Sequence, residues 1–392
     1  MRELMHRRQW LLQALGWSMS PAFALAARAQ AGSGNPALPR FIAAWQLDAQ
    51  QHIGQLAWTG ATTASAPRLL PLHTLEVPTR AHALLQEASG AIVAVARRPG
   101  DWLVRWHPGH EPQWLWIEPD RVFNGHVLAS ADGRHIYTTE TDLADSQGLV
   151  GVRDARSLEK VAEWRTGGMD PHQLLLDSDG SLIVANGGIP TQPETGRRKL
   201  RLDHMDSSVV RLAPQAGGEC LGMWKLTDPR LSLRHLAWGA PVHSGAARRW
   251  LGVALQAEHD DAEAKRQAPV LAVFDGKALR TVEAPQALAG YGGDIAFTGS
   301  GFAVSCPRVD GVALFAPSAQ APAIAWQGLH TLPGAYALAA ASTSRPAAGP
   351  HVWVGGGDHA QGLDTAGRQS GMAPAALEAI QLDNHWLQMQ GS

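Results

Sequence analysis

A chain of 392 residues can form two average domains or one large all-β domain, and it can bury a sizeable core. Charged residues make up only 17%, while 41 glycines and 25 prolines favour many short strands joined by tight turns over long helices. With 33 basic against 35 acidic residues the net charge is −2, and no basic stripe is interleaved with aromatics, so the footprint of a nucleic-acid binder is absent; two cysteines, Cys220 and Cys306, exclude a disulfide framework and a cysteine-rich metal site.

At the N-terminus Arg7-Arg8 precedes Gln9-Trp10-Leu11-Leu12 and a weakly apolar stretch that runs to Ala27-Arg28-Ala29. The pattern predicts a twin-arginine export signal over residues 1–29, with an A-x-A cleavage site after Ala29. The alternative is the charged start of an ordinary buried helix. Cleavage removes four arginines and one glutamate and takes the net charge from −2 to −5. No later segment is apolar for long enough to span a bilayer. The expectation is therefore a soluble periplasmic domain over residues 30–392.

Strand-like runs follow at Phe41 to Leu47, His52 to Trp58 and Leu69 to Val77. From residue 80 onward one pattern recurs: a polar residue, a short apolar strand, a glycine-containing turn, a second apolar strand, and a polar residue entering a loop. Its copies are Arg80-Ala81-His82 leading to Arg97, Asn124-Gly125-His126 leading to Glu140, and Asp170-Pro171-His172 leading to Asn186. Looser copies run from Leu233-Arg234-His235 to Gln256, from Gly292-Gly293-Asp294 to Arg308, and from Gly334-Ala335-Tyr336 to Gly355. The starts at 82, 126, 172, 235, 294 and 336 are spaced by 44, 46, 63, 59 and 42 residues, the lengths of propeller blades with two insertions. Ser89-Gly90, Asp132-Gly133 and Asp179-Gly180 stand where hairpin turns are required. If the strands near the N-terminus share a blade with the stretch from Ala376 to Met389, a single β-propeller of about seven four-stranded blades closes without a free sheet edge. Trp102, Trp106, Trp114 and Trp116 then read as packing between blades.

In such a fold the start of each innermost strand lies beside the end of the strand that follows it. The repeat thus places His82 beside Arg97, His126 beside Glu140, His172 beside Asn186, His235 beside Gln256, and Asp294 beside Arg308, around the mouth of the central channel. Two readings stand. The four imidazoles can coordinate a transition metal, iron or copper, with Glu140, Asp142 or Asp294 as further ligands or orienting groups. Alternatively each histidine caps backbone at the entry of its own blade. Arg97, Asn186, Arg234, Gln256 and Arg308 complete the expected ligand-binding set. A long loop from Gly187 through Glu194, Arg197, Arg198 and Lys199 to Ser207 either covers the channel mouth as a lid carrying Arg197 or is a solvated insertion. No nucleophile elbow, HExxH, Walker loop or dinucleotide fingerprint occurs.

The segments Arg97-Arg98-Pro99-Gly100, Tyr137-Thr138-Thr139-Glu140, Gly151-Val152-Arg153-Asp154, Val184-Ala185-Asn186-Gly187-Gly188-Ile189, Pro193-Glu194-Thr195-Gly196-Arg197 and Leu231-Ser232-Leu233-Arg234-His235-Leu236-Ala237 carry a resemblance. Together they resemble a bacterial family of periplasmic propellers catalogued as domain of unknown function 1513. Its members are often encoded beside imelysin-like iron-uptake proteins and di-haem oxidoreductases. The resemblance implies a role in periplasmic iron acquisition, with imelysin-like proteins as partners. The leading expectation is a propeller that binds a metal, a metal complex or a partner protein at its histidine-lined face. The alternatives are a metal-dependent oxidoreductase or lactonase-like hydrolase at the same face, with Glu140 or Asp142 as base, and a pure interaction scaffold.

Overall fold

The computed structural model describes residues 38–60, 65–190, 201–241, 249–318, 323–341, 349–377 and 379–390. The expected signal segment and residues 191–200, which include Arg197, lie outside them. Seven antiparallel sheets of four strands each form a seven-bladed propeller. The innermost strands of blades one to six are Ala81–Gln86, Arg121–Ala129, Pro171–Leu176, Leu231–Pro241, Ile295–Phe297 and Ala337–Ala340. Each is followed outward by three more strands of its own repeat. Gly90, Gly133 and Gly180, at the predicted hairpin turns, have φ of +85°, +67° and +83°, conformations that a Cβ disfavours.

The seventh blade joins the two ends of the described chain. Its innermost strand, Gln381–Gln388, pairs antiparallel with Arg40–Leu47, from Phe41 opposite Gln388 to Gln46 opposite Gln381. Gln50–Trp58 and Leu69–Val77 complete the sheet. Closure gives the three N-terminal strands their fourth, innermost strand from the far end of the chain. It is reinforced by the stack of Phe41 on Trp386, ring centroids 4.3 Å apart, against Trp58 and Trp353.

The apolar core is distributed between neighbouring blades. Alternation along each strand sends one face to the blade before and one to the blade after, so seven separate clusters form. Trp102, Trp106, Trp114 and Trp116 all pack in the cluster between the closing blade and blade one, as expected of interblade packing. Cys220 is exposed and Cys306 buried, and both are free. No helix among the described residues is long and apolar enough to cross a membrane. The one α-helix among them, α1 (Ala262–Gln267), sits in the loop between the second and third strands of blade four, capped by Asp261.

Candidate metal and anion site at the channel mouth

Five histidines meet on the propeller axis. Going round in chain order, the ring centroids of His82, His126, His172, His235 and His385 are 4.8, 4.7, 4.5 and 4.5 Å apart, and His385 closes back on His82 at 4.6 Å. The first four come from the innermost strands of blades one to four, at the repeat position read from the sequence. The fifth belongs to the closing strand and was not expected. Its triplet Asp383-Asn384-His385 has the same polar-x-His form as Asn124-Gly125-His126 and Asp170-Pro171-His172, which is the signal that could have found it.

A backbone device shared by all five aims the imidazoles inward. In every histidine-bearing strand the ladder slips at the histidine: between Ala81 and Leu84, Phe123 and Val127, Pro171 and Leu174, Leu233 and Leu236, and opposite Ala43 to Trp45 in the closing blade. In each case two or three residues stand against one. Such bulges bend the strand and re-aim a side chain, here toward the axis. Gly125, with φ +102°, makes room for the result, since a Cβ there would come within 2.7 Å of His82 Cδ2. Blades five and six supply Asp294 and Tyr336 at the matching places instead.

The contacts among the rings are short. His235 Nε2 lies 2.8 Å from His172 Nε2 and 3.0 Å from His385 Nε2. A single imidazole nitrogen carries either one proton or one lone pair, so these two contacts cannot both be good hydrogen bonds. A shared cation facing three lone pairs satisfies all of them. At the ~2.0–2.1 Å typical of imidazole bound to a metal, neighbouring ligands stand roughly 3 Å apart, which is the spacing seen. Ligand nitrogens of His82, His126, His235 and His385 all fall within 4.8 Å of one another. His82 makes no hydrogen bond through either ring nitrogen, and His126 Nε2 and His172 Nδ1 have none, to the described residues.

Electrostatics keeps four of the rings neutral. Burial, then the charge of neighbouring imidazoles or Arg234, holds His82, His126, His172 and His235 well below the usual histidine value. Neutral imidazole is the form that binds metals. His385 is oriented by a carboxylate: its Nδ1 lies 3.1 Å from Asp294 Oδ2, leaving Nε2 toward the cluster. Asp294 is held in turn by the backbone N–H groups of Ile295 and Leu338, at 2.8 and 3.0 Å. Carboxylate–imidazole pairs of this kind fix the tautomer and raise the basicity of a metal ligand.

A small recess lies against His82, His172 and His235, walled by Arg97, Arg98 and Arg234 together with Gln256 and Tyr336. Tyr336 is hydrogen-bonded to Tyr291 at 2.6 Å, and burial, followed by the charge of Tyr291, pushes its phenol up. Arg308 stacks on Tyr291, 4.3 Å from the ring centroid. Asp170 is fully buried behind the wall and bridges Arg98 and Arg234, the latter at 2.8 Å.

The other expected site residues stand elsewhere. Glu140 is fully buried within blade two, where Arg153 Nη2 (2.7 Å) and Lys160 Nζ (2.8 Å) neutralise it and Thr138 Oγ1 donates a hydrogen bond of 2.6 Å. It is not among the residues that wall the recess. Asp142 pairs with Arg121 at 3.2 Å and accepts from the Ala144 N–H. Asn186 is fully buried, and its amide donates to the Thr166 carbonyl and to Ser208. These three hold strands and loops in place.

Comparison with known proteins agrees with this architecture. No curated protein matches the chain. Among solved structures, a protein from Lactobacillus plantarum aligns with a TM-score of 0.55 at 15% identity, covering 90% of this chain and 100% of that one. The periplasmic gluconolactonase of Pseudomonas aeruginosa aligns at 0.54 and 13% identity over 88% and 98%. A 6-phosphogluconolactonase homologue from Bacteroides uniformis gives 0.53 and 13% over 88% and 99%. At these identities the likeness is one of fold. The sequence profile described as "Protein of unknown function (DUF1513)" matches residues 75–389.

Proposed function

For this chain, which belongs to the DUF1513 family of proteins of unknown function, we propose a transition-metal-binding propeller whose ion is held by His82, His126, His172, His235 and His385. One observation carries the reading: three Nε2 atoms, on the buried His172 and His235 and the partly buried His385, lie within 2.8 and 3.0 Å contacts that hydrogen bonding alone cannot satisfy. An all-imidazole donor set suits zinc, copper, iron or nickel and disfavours magnesium and calcium. Five imidazoles exceed the four ligands of a structural zinc site, which favours iron or copper. The ion supplies a Lewis-acidic or redox-active centre beside the recess; the protein supplies neutral donors, their orientation through Asp294, and a shielded setting.

Metal analysis of the full-length protein after exposure to iron(II) or copper(II) tests this. About one ion per chain is expected, falling at least tenfold in affinity for His235→Ala and by about 10–100-fold for Asp294→Asn, whose side chain no longer orients His385 with a charge. Binding below one ion in five chains, or binding indifferent to His235→Ala, sinks the proposal. A hydrolase of the lactonase type is the weaker reading, because no Asp or Glu lines the recess among the described residues to act as general base.

The family resemblance supports an iron-acquisition setting with imelysin-like partners. The Arg7-Arg8 pattern supports export to the periplasm. Expression in a bacterial host with a twin-arginine pathway should yield periplasmic protein beginning at Gln30. Recovery of the uncleaved chain in the cytoplasm alone contradicts it.

A further inference from the structure

We infer that the arginine-walled recess is a subsite for a small carboxylate that lies against the histidine cluster. Three guanidinium groups, of Arg97, Arg98 and Arg234, reach its wall, and no carboxylate does among the described residues. Behind them Asp170 is shared between Arg98 and Arg234. The wall thus sets guanidinium groups beside the imidazoles of His82, His172 and His235.

Arg234 makes the strongest case. Its side chain is 1% exposed, Nη1 reaches Asp170 at 2.8 Å, and Nε and Nη2 make no hydrogen bond to the described residues. A buried guanidinium with idle donors is costly to maintain, and it lines the recess. Gly187 leaves room for the Arg234–Asp170 pair, because a Cβ there would come within 3.0 Å of Arg234 Nη1 and 2.7 Å of Asp170 Oδ2.

A planar fork of N–H donors matches a carboxylate in two-point contact. Gln256 adds a neutral amide to the same wall. His172 and His235 belong both to the recess wall and to the 2.8 Å imidazole contact. A carboxylate seated on the arginines thus places an oxygen against the metal-holding face. The positioning against an ion rests on the metal-site reading; the recognition by arginine does not.

The test separates the two. Full-length protein loaded with cobalt(II), as a coloured probe, is titrated with citrate and with oxalate, and metal-free protein is titrated calorimetrically with the same anions. Saturable binding that shifts the cobalt bands is expected, weakened at least tenfold by Arg97→Gln at unchanged cobalt content and partly restored by Arg97→Lys. Arg234→Gln should weaken it further, but it strips buried Asp170 of a partner and can fail to fold, so the half-buried Arg97 carries the decision. A third arm offers preformed cobalt–citrate to metal-free protein: uptake of both components together identifies a chelated carboxylate as the source, and uptake of cobalt alone identifies a free one. Equal affinity in wild type and Arg97→Gln overturns the subsite, as does the absence of saturable anion binding in both metal-loaded and metal-free protein. If cobalt is not retained, the metal reading fails, and the calorimetric titration of the metal-free protein with its Arg97 dependence still decides the subsite.

Discussion

Acidification from about pH 7.5 to about pH 5 is expected to destabilise the metal-free protein steeply and to release a bound metal. In the folded chain burial holds four imidazoles, those of His82, His126, His172 and His235, well below the ordinary value of 6.5. In the unfolded chain each titrates near that value. Between the folded and unfolded values the unfolded state carries more protons, so stability falls as the pH falls. The full stability is present above about 6.5 and is lost on the acid side. Each group steepens the slope by at most about 1.4 kcal/mol per pH unit. Four groups in one cluster titrate together, so the sum stays below four times that figure.

The surroundings reinforce the direction. Arg97 and Arg234 oppose protonation of neighbouring imidazoles, and the Gly293 backbone partly favours it at His235. Saturating metal at a hundred times its Kd adds about 2.7 kcal/mol. Protons compete for the same lone pairs, so that increment must vanish over the same acid range. Denaturant unfolding at a series of pH values, with and without copper(II), measures both effects. Replacing His126 and His172 by Gln together should flatten the metal-free slope. A stability that stays level down to about pH 5 would show that the cluster does not exclude protons as its burial demands.

Much of the propeller was legible because its signals are local. Hairpin turns such as Asp132-Gly133 and apolar runs such as Ile92 to Ala96 declare themselves within a few residues, and repetition at blade length supplies the rest. His82, His126, His172 and His235 were legible because they share one repeat position. His385 was hidden by the closure of the ring: its hairpin partner is Arg40–Leu47, at the other end of the chain, so no second strand follows it to complete the repeat. The bulges that aim the imidazoles depend on cross-strand register, which no spacing along the chain reveals. Direction was likewise lost for Glu140. Its distance from His126 along the chain suits a neighbour at the channel mouth, yet successive side chains of a strand face opposite ways. Thr139, one residue earlier, accepts the His126 backbone N–H at 3.3 Å, and Glu140 turns to Arg153.

That reversal sets a sharp expectation for Glu140. Glu140 and Arg153 are both fully buried, and the carboxylate takes Arg153 Nη2 at 2.7 Å and Lys160 Nζ at 2.8 Å. Breaking a buried pair by removing one partner leaves an uncompensated charge and costs about 3–5 kcal/mol. Glu140→Ala strands the buried Arg153 guanidinium, while Lys160 keeps Glu118 at 3.0 Å and Glu163 at 3.5 Å, so a cost within that range is expected. Glu140→Gln keeps an acceptor for the 2.6 Å hydrogen bond from Thr138 and should cost less. The double variant Glu140→Met/Arg153→Met removes both buried charges and should recover much of the loss, because desolvation no longer opposes the fold. Metal content of every variant that folds should equal that of the wild type, since the histidine cluster is untouched. Chemical denaturation alongside metal analysis reads both quantities. A Glu140→Ala protein of near-native stability that has lost its metal would return this residue to the channel mouth and remove it from the ion-pair network that holds blade two together.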